Sequence, residues 1–188
     1  MSEATGVPNG ALRVVVAADN AGVDLKNRLR DLMRADARVA EVTDVGVADA
    51  SDDSAYPVPA VAAAELIARG GADRGVLVCG TGIGVAISAN KVPGIRATVA
   101  HDSYSAERSI TSNNCQIITF GARVIGPEAA EKILTEWLGF TFDATSPSAA
   151  KVACITAYET THRTPHPHAT GGEDDRAREG RAAGVGRA

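Results

Sequence analysis

Val76-Leu77-Val78-Cys79-Gly80-Thr81-Gly82-Ile83-Gly84-Val85-Ala86-Ile87-Ser88-Ala89-Asn90-Lys91 decides how this chain folds. An apolar run ending in a cysteine, three alternate glycines and a small-residue segment predict a buried strand, a tight turn and a helix. Glycines at a strand-to-helix turn let the backbone bend sharply and bring its N–H groups close to a ligand. Cys79 lies near the positive end of the following helix, where a thiolate is stabilised. A base beside a ring of N–H donors is the arrangement that removes a proton and holds the resulting oxyanion.

Working outward, the same strand–turn–helix unit recurs. Leu12-Arg13-Val14-Val15-Val16-Ala17-Ala18 predicts a buried first strand ending at Asp19-Asn20, with a helix opening at Ala21-Gly22 and apolar at Val23, Leu25, Leu29 and Leu32. Residues 39–45 predict a second strand and 49–54 an acidic loop; Tyr56-Pro57-Val58-Pro59 leads into an alanine-rich helix stopped by Gly70-Gly71. Beyond the central stretch, Ile95-Arg96-Ala97-Thr98-Val99 predicts a short strand, His101-Asp102 a turn, and 103–110 a helix. Cys115-Gln116-Ile117-Ile118-Thr119-Phe120 predicts the fifth strand, closed by Gly121-Ala122-Arg123, and Pro127 starts a helix through Trp137. Five apolar strands alternating with helices give an α/β domain: a five-stranded parallel sheet covered on both faces. Ligands bind such sheets at the carboxyl ends of the strands, where Asp19, Cys79, His101-Asp102 and Gly121–Arg123 converge.

Bulk properties narrow the function classes. The chain has 188 residues and a net charge of −4, enough for one well-buried domain and without the basic surface that nucleic acid or an anionic membrane favours. No apolar run is long enough to span a bilayer, and residues 1–10 read as a flexible leader without the pattern of a secretory signal. Cys79, Cys115 and Cys154 are widely spaced and odd in number, as expected of reduced thiols in a cytoplasmic protein. Cys115 and Cys154 read as packing residues. The domain is expected over 11–159, followed by a disordered tail over 160–188 that is rich in Pro, Gly and charge. His162, His166 and His168 fall in that tail without a carboxylate or cysteine framework for a metal, which leaves His101 as the domain's histidine.

The glycine turn fits neither common nucleotide motif. Gly80-x-Gly82-x-Gly84 lacks the spacing of the dinucleotide fingerprint, and no Lys-Ser/Thr pair follows it as in a Walker A loop. Asp19 ends a buried strand, where a carboxylate must face a cleft or find a partner. Arg123 reads either as a surface residue or as a phosphate clamp at the mouth of the sheet.

Val78-Cys79-Gly80-Thr81-Gly82-Ile83-Gly84, Ser88-Ala89-Asn90-Lys91 and Gly94-Ile95-Arg96 together resemble the ribose-5-phosphate isomerase B / galactose-6-phosphate isomerase family. Tyr104-Ser105-Ala106-Glu107, Asn113-Asn114 and Phe120-Gly121-Ala122-Arg123-Val124-Ile125-Gly126 continue the match in the family's order. The resemblance implies a Rossmann-like three-layer α/β/α sandwich and a homodimer whose active sites draw on both subunits. It also implies metal-free, cofactor-free aldose–ketose isomerisation of a small phosphorylated sugar through a cis-enediol(ate). Carried over by position, Cys79 is the base moving the proton between C1 and C2, and Thr81 a hydroxyl near that transfer. Gly80, Gly82 and Gly84 form the loop that holds the enediolate oxygen. Asp19 lies near the reacting hydroxyls, Asn113 binds substrate, and Arg123 binds phosphate.

The departures bear on the substrate. Pentose-phosphate members carry histidines that open the furanose ring where this chain has Asn20 and Ser112. A tetrose 4-phosphate carries its phosphate on the oxygen that would close a furanose, so it needs no ring opening. Asn20, His101-Asp102 and Ser112 resemble the branch acting on tetrulose 4-phosphates in erythritol-type catabolism, which implies D-erythrulose 4-phosphate and D-erythrose 4-phosphate as substrates. Ribose 5-phosphate is the enzymatic alternative, and a non-catalytic ligand-binding or silent partner subunit the alternative of another class. The family's phosphate arginine is missing near Pro147, where Ser148 or Lys151 are the candidates to replace it.

Overall fold

The strand–helix alternation read from the sequence is present throughout the computed structural model, which describes residues 11–162. In order, the elements are β1 (Leu12–Ala18), α1 (Val23–Arg34), β2 (Val39–Asp44), α2 (Pro57–Ala68), β3 (Arg74–Cys79), α3 (Ile83–Ala89), β4 (Ala97–Val99), α4 (Ser103–Thr111), β5 (Ile117–Gly121), α5 (Pro127–Trp137) and α6 (Pro147–Thr161). All strands pair in parallel, in the order β2-β1-β3-β5-β4. The chain leaves β1 toward β2 on one side and returns to β3 on the other. The crevice at that reversal lies between the carboxyl ends of β1 and β3, where open α/β sheets bind ligands.

The period-two alternation of each strand divides the core into two layers. Val14, Val16, Val76, Val78, Ile118 and Phe120 pack against α1, α4 and α5. Val15, Ala17, Leu77, Cys79 and Ile117 pack against α2 and α3. The result is the Rossmann-like α/β/α sandwich. Small side chains let α2 sit close, with Ala60, Ala63 and Ala64 fully buried under it. Two polar groups in this core are paired: Trp137 Nε1 donates to Ser109 Oγ at 3.0 Å, and the Arg74 guanidinium donates to the carbonyls of Trp137 and Phe140.

Several boundaries differ from the sequence reading. β4 starts at Ala97 rather than Ile95, because Val92-Pro93-Gly94-Ile95 forms a turn closed by the Ile95 N–H on the Val92 carbonyl at 3.2 Å. β5 starts at Ile117 because the Cys115 N–H is taken by Ser109 O and the Gln116 side chain braces Arg96 and Gly94. α6 has no counterpart in the sequence reading, and it runs through Thr161, two residues past the expected end of the domain at 159. Cys154 is exposed on α6 rather than packed, since Val152 is that helix's one buried residue. His162 caps α6 and stacks on Tyr158, while the expected leader and the tail positions His166 and His168 lie outside the described residues. Among the described residues no helix is long and apolar enough to cross a membrane.

Candidate active site

The carboxyl edge of the sheet carries a row of candidate residues. Ala18 is level with Val78, and Cys79 with Gly121, so Asp19, Cys79 and Gly121 follow one another across β1, β3 and β5. His101 follows β4 and closes the row by accepting the Gly121 N–H on Nε2 at 2.9 Å. Two glycines make this closeness possible. A Cβ at Gly22 would stand 2.7 Å from the Val78 carbonyl carbon, so the start of α1 passes directly over the end of β3. A Cβ at Gly121 would stand 2.6 Å from the Thr81 carbonyl carbon, which brings the end of β5 against the glycine turn.

Cys79 ends β3 at 5% exposure, and its Sγ accepts the Gly82 N–H at 3.1 Å. Backbone bonds stitch this turn to the next: Ala122 N–H donates to Cys79 O at 2.8 Å and Arg123 N–H to Gly80 O at 3.0 Å. The Arg123 side chain folds back so that a Cβ on Gly80 would lie 3.4 Å from its Nη1. Arg123 is exposed and makes no side-chain hydrogen bond or ion pair among the described residues. Thr81 Oγ1 accepts the Ile83 N–H at 3.3 Å, leaving the hydroxyl proton to be donated outward. Asp19 Oδ1 accepts the Gly22 N–H at 3.1 Å, which orients the carboxylate while leaving Oδ2 to a ligand.

The three glycines therefore do different things. Gly80 leaves room for Arg123. Gly82 adopts φ +78°, a left-handed conformation that favours glycine, and commits its N–H to the cysteine sulfur rather than to an oxyanion. Gly84 lies under the ring of Tyr56, whose Cε2 would be 2.6 Å from an added Cβ. Tyr56, 43% exposed at the start of α2, was not anticipated as a neighbour of the turn. Nothing in its local sequence marks it, because the contact crosses between two βα units.

His101 is half-buried, and burial lowers its pKa from the ordinary imidazole value while Asp102 pulls weakly the other way. With Nε2 accepting from Gly121, the neutral ring carries its proton on Nδ1. Asn20 is exposed beside Asp19. Asn113 and Lys151 do not join this group within one chain. Asn113 follows α4 at the amino end of β5, its Nδ2 donating to Arg108 O at 3.0 Å. Lys151 is exposed in α6, the helix whose Glu159 accepts the Gly94 N–H at the amino end of β4. Among the described residues no group of three or more His, Cys, Asp or Glu side chains is placed to hold a metal ion.

Residues 14–155 match the ribose/galactose isomerase family. The chain belongs to that family. Over 149 residues it is 57% identical to D-erythrulose-4-phosphate isomerase 2 of Mycolicibacterium smegmatis, covering 79% of this chain and 98% of that one. It is 44% identical over 155 residues to D-erythrulose-4-phosphate isomerase of Pectobacterium atrosepticum, covering 82% of this chain and 99% of the relative. The solved structure of Clostridium thermocellum ribose-5-phosphate isomerase B superposes with a TM-score of 0.74 at 36% identity, over 79% of this chain and 98% of that chain. The row Asp19–Cys79–Gly121–His101, with the Arg123 side chain folded over Gly80, is this chain's candidate site.

Proposed function

We propose that the protein is a metal-free aldose–ketose isomerase that interconverts D-erythrulose 4-phosphate and D-erythrose 4-phosphate through a cis-enediolate. The Cys79 thiolate takes the C1 proton of the ketose, the C1–C2 double bond forms, and negative charge passes to O2. The thiol then returns the proton to C2 as O1 becomes the aldehyde oxygen. Asp19 exchanges the hydroxyl proton between O1 and O2, Thr81 donates to the enediolate, and Arg123 binds the phosphate. A proton beside a carbonyl is too weakly acidic for a thiolate in water, so fixed donors around the developing oxyanion supply the difference.

One observation carries the substrate: among the described residues no histidine is placed to open a ring. The two positions where pentose members carry one are Asn20 and Ser112, and the Nε2 of His101 is occupied by the Gly121 N–H. The names of the relatives from Mycolicibacterium smegmatis and Pectobacterium atrosepticum support the same substrate, and a cytoplasmic role in erythritol-type catabolism is part of the proposal. The deciding experiment compares kcat/KM for D-erythrulose 4-phosphate and ribose 5-phosphate and follows C1/C2 proton exchange with deuterated water. A value for ribose 5-phosphate equal to or above that for the tetrulose would overturn the assignment.

We infer further that the active unit is a homodimer with shared sites. α6 has Val152 as its one buried residue and exposes Ile155 and Tyr158, while α3 exposes Ile83 and Ile87. A second copy covering these apolar side chains offers a way to bring its Asn113 and Lys151 to a site that one chain leaves incomplete.

A further inference from the structure

We propose that Thr119 is a positioning residue for Cys79, acting through the Gly82 peptide. Thr119 is the polar residue of an otherwise apolar β5, and it is fully buried. A buried hydroxyl is unfavourable unless it finds a partner. Thr119 Oγ1 donates to the Gly82 carbonyl at 2.8 Å. The N–H of that same glycine donates to Cys79 Sγ at 3.1 Å.

Glycine has the largest conformational freedom of any residue, so a catalytic N–H carried by a glycine must be held from outside. Gly82 is held from both ends. Its carbonyl receives the Thr119 hydroxyl and the Ala86 N–H, the latter at 3.2 Å as the first bond of α3. The Ile83 N–H of the same peptide unit is taken by Thr81 Oγ1 at 3.3 Å. β5 also approaches Gly82 closely, since an added Cβ would lie 3.0 Å from the Phe120 carbonyl carbon. The α3 bond and the Thr81 bond are local to the turn. The backbone bonds from Ala122 and Arg123 hold Cys79 and Gly80, and Thr119 ties Gly82 itself to β5, so it sets where the Gly82 N–H points relative to the sulfur.

An N–H aimed at sulfur favours the thiolate over the thiol. Removing the hydroxyl therefore leaves less of the sulfur as thiolate without touching the substrate-binding groups. The inference rests on Cys79 being the base, and its test reads the sulfur directly so that the two can fail separately. In a Cys154→Ser background, which removes the exposed thiol, the rate of iodoacetamide alkylation at Cys79 is measured against pH without substrate for the parent, Thr119→Val and Thr119→Ser, alongside isomerase kinetics.

For Thr119→Val, the pH of half-maximal alkylation moves upward, and kcat falls about fivefold with KM little changed. Thr119→Ser, which keeps the hydroxyl, restores both. A folded Thr119→Val with the parent's alkylation profile overturns the proposal, whether or not the protein isomerises any sugar. Should Thr119→Val fail to fold, Thr119→Ala adds no atom and carries the same measurement. If that variant also fails to fold, Thr119 is a folding residue and the proposal is overturned as well.

Discussion

The backbone N–H of Gly121 donates to Nε2 of His101 at 2.9 Å, tying the end of β5 to the residue after β4. That bond exists only while Nε2 carries no proton. Burial lowers the His101 pKa below its unfolded value, so the folded state binds fewer protons than the unfolded chain as pH falls through the ordinary histidine range. The stabilisation is fully present above about pH 6.5, the ordinary imidazole value, and is lost as pH falls through the lower folded value. Thermal denaturation across this range should show the parent losing stability on acidification more steeply than His101→Gln, whose side-chain carbonyl can accept from Gly121 at any pH. His101→Ala, which leaves a buried N–H unsatisfied, should lose about 1–2 kcal/mol at neutral pH. Equal pH slopes for the parent and His101→Gln would remove His101 as the cause.

Close backbone approach, rather than glycine content, sets which glycines are indispensable. Gly22→Ala drives a methyl into the Val78 carbonyl, which the β1–β3 ladder holds in place, and Gly121→Ala drives one into the Thr81 backbone of the glycine turn. Each should destabilise by about 3 kcal/mol or more and abolish activity. Gly94→Ala faces open space and meets only the strain of φ +80°, about 1 kcal/mol, with activity kept. Melting temperatures and specific activities of the three variants check this order, and a Gly121→Ala enzyme as active as Gly94→Ala would refute it.

The buried ammonium of Lys26 gives a prediction of asymmetry. Its Nζ donates to Asp44 Oδ2 at 2.8 Å, to Asp44 Oδ1 at 3.0 Å and to the Val47 carbonyl at 2.9 Å. Lys26 is 1% exposed, whereas Asp44 is partly open and also receives Arg30 at 3.2 Å. Removing the carboxylate leaves a charge in the core, and removing the lysine leaves a carboxylate that keeps a cation. Asp44→Ala should therefore cost about 3–5 kcal/mol and Lys26→Met about 1–3 kcal/mol, and the double variant should fall well short of their sum. Urea titration of the single and double variants measures all three.

How much of this was legible in the sequence depended on how local the information was. Asp19, Cys79 and Arg123 could be read because strand ends are marked by the change from apolar run to turn, and a parallel sheet gathers those ends on one edge. Thr119 carried a visible signal, a lone hydroxyl in an apolar strand, but its meaning depends on Gly82, thirty-seven positions away. α6 hid because its apolar residues form no stripe against the chain's own core, and Val152 is the one that is buried. Its helix start was written in Ser146-Pro147 all the same, with proline at the first helical position. Where Asn113 lies could not be read from the sequence, since α4 carries the chain from the carboxyl edge of the sheet to the opposite one.

That displacement of Asn113 makes the shared-site reading open to a direct test. If one subunit's Cys79 works with its partner's Asn113, then Cys79→Ala and Asn113→Ala destroy different halves of the same site. Each homodimer alone should have lost nearly all turnover. Mixing the two and allowing subunits to exchange creates heterodimers in which the intact Cys79 of one chain faces the intact Asn113 of the other. Isomerase activity should then recover with the kinetics of exchange, and it should not recover when either variant is mixed with itself. The same Cys79→Ala protein should stay folded with one cooperative melt, a few degrees below the parent because the Gly82 N–H loses its acceptor, so that lost turnover at the assay temperature reports chemistry and not unfolding. Sites confined to single chains would leave the mixture as inactive as its parts, because no subunit in it would then carry both residues.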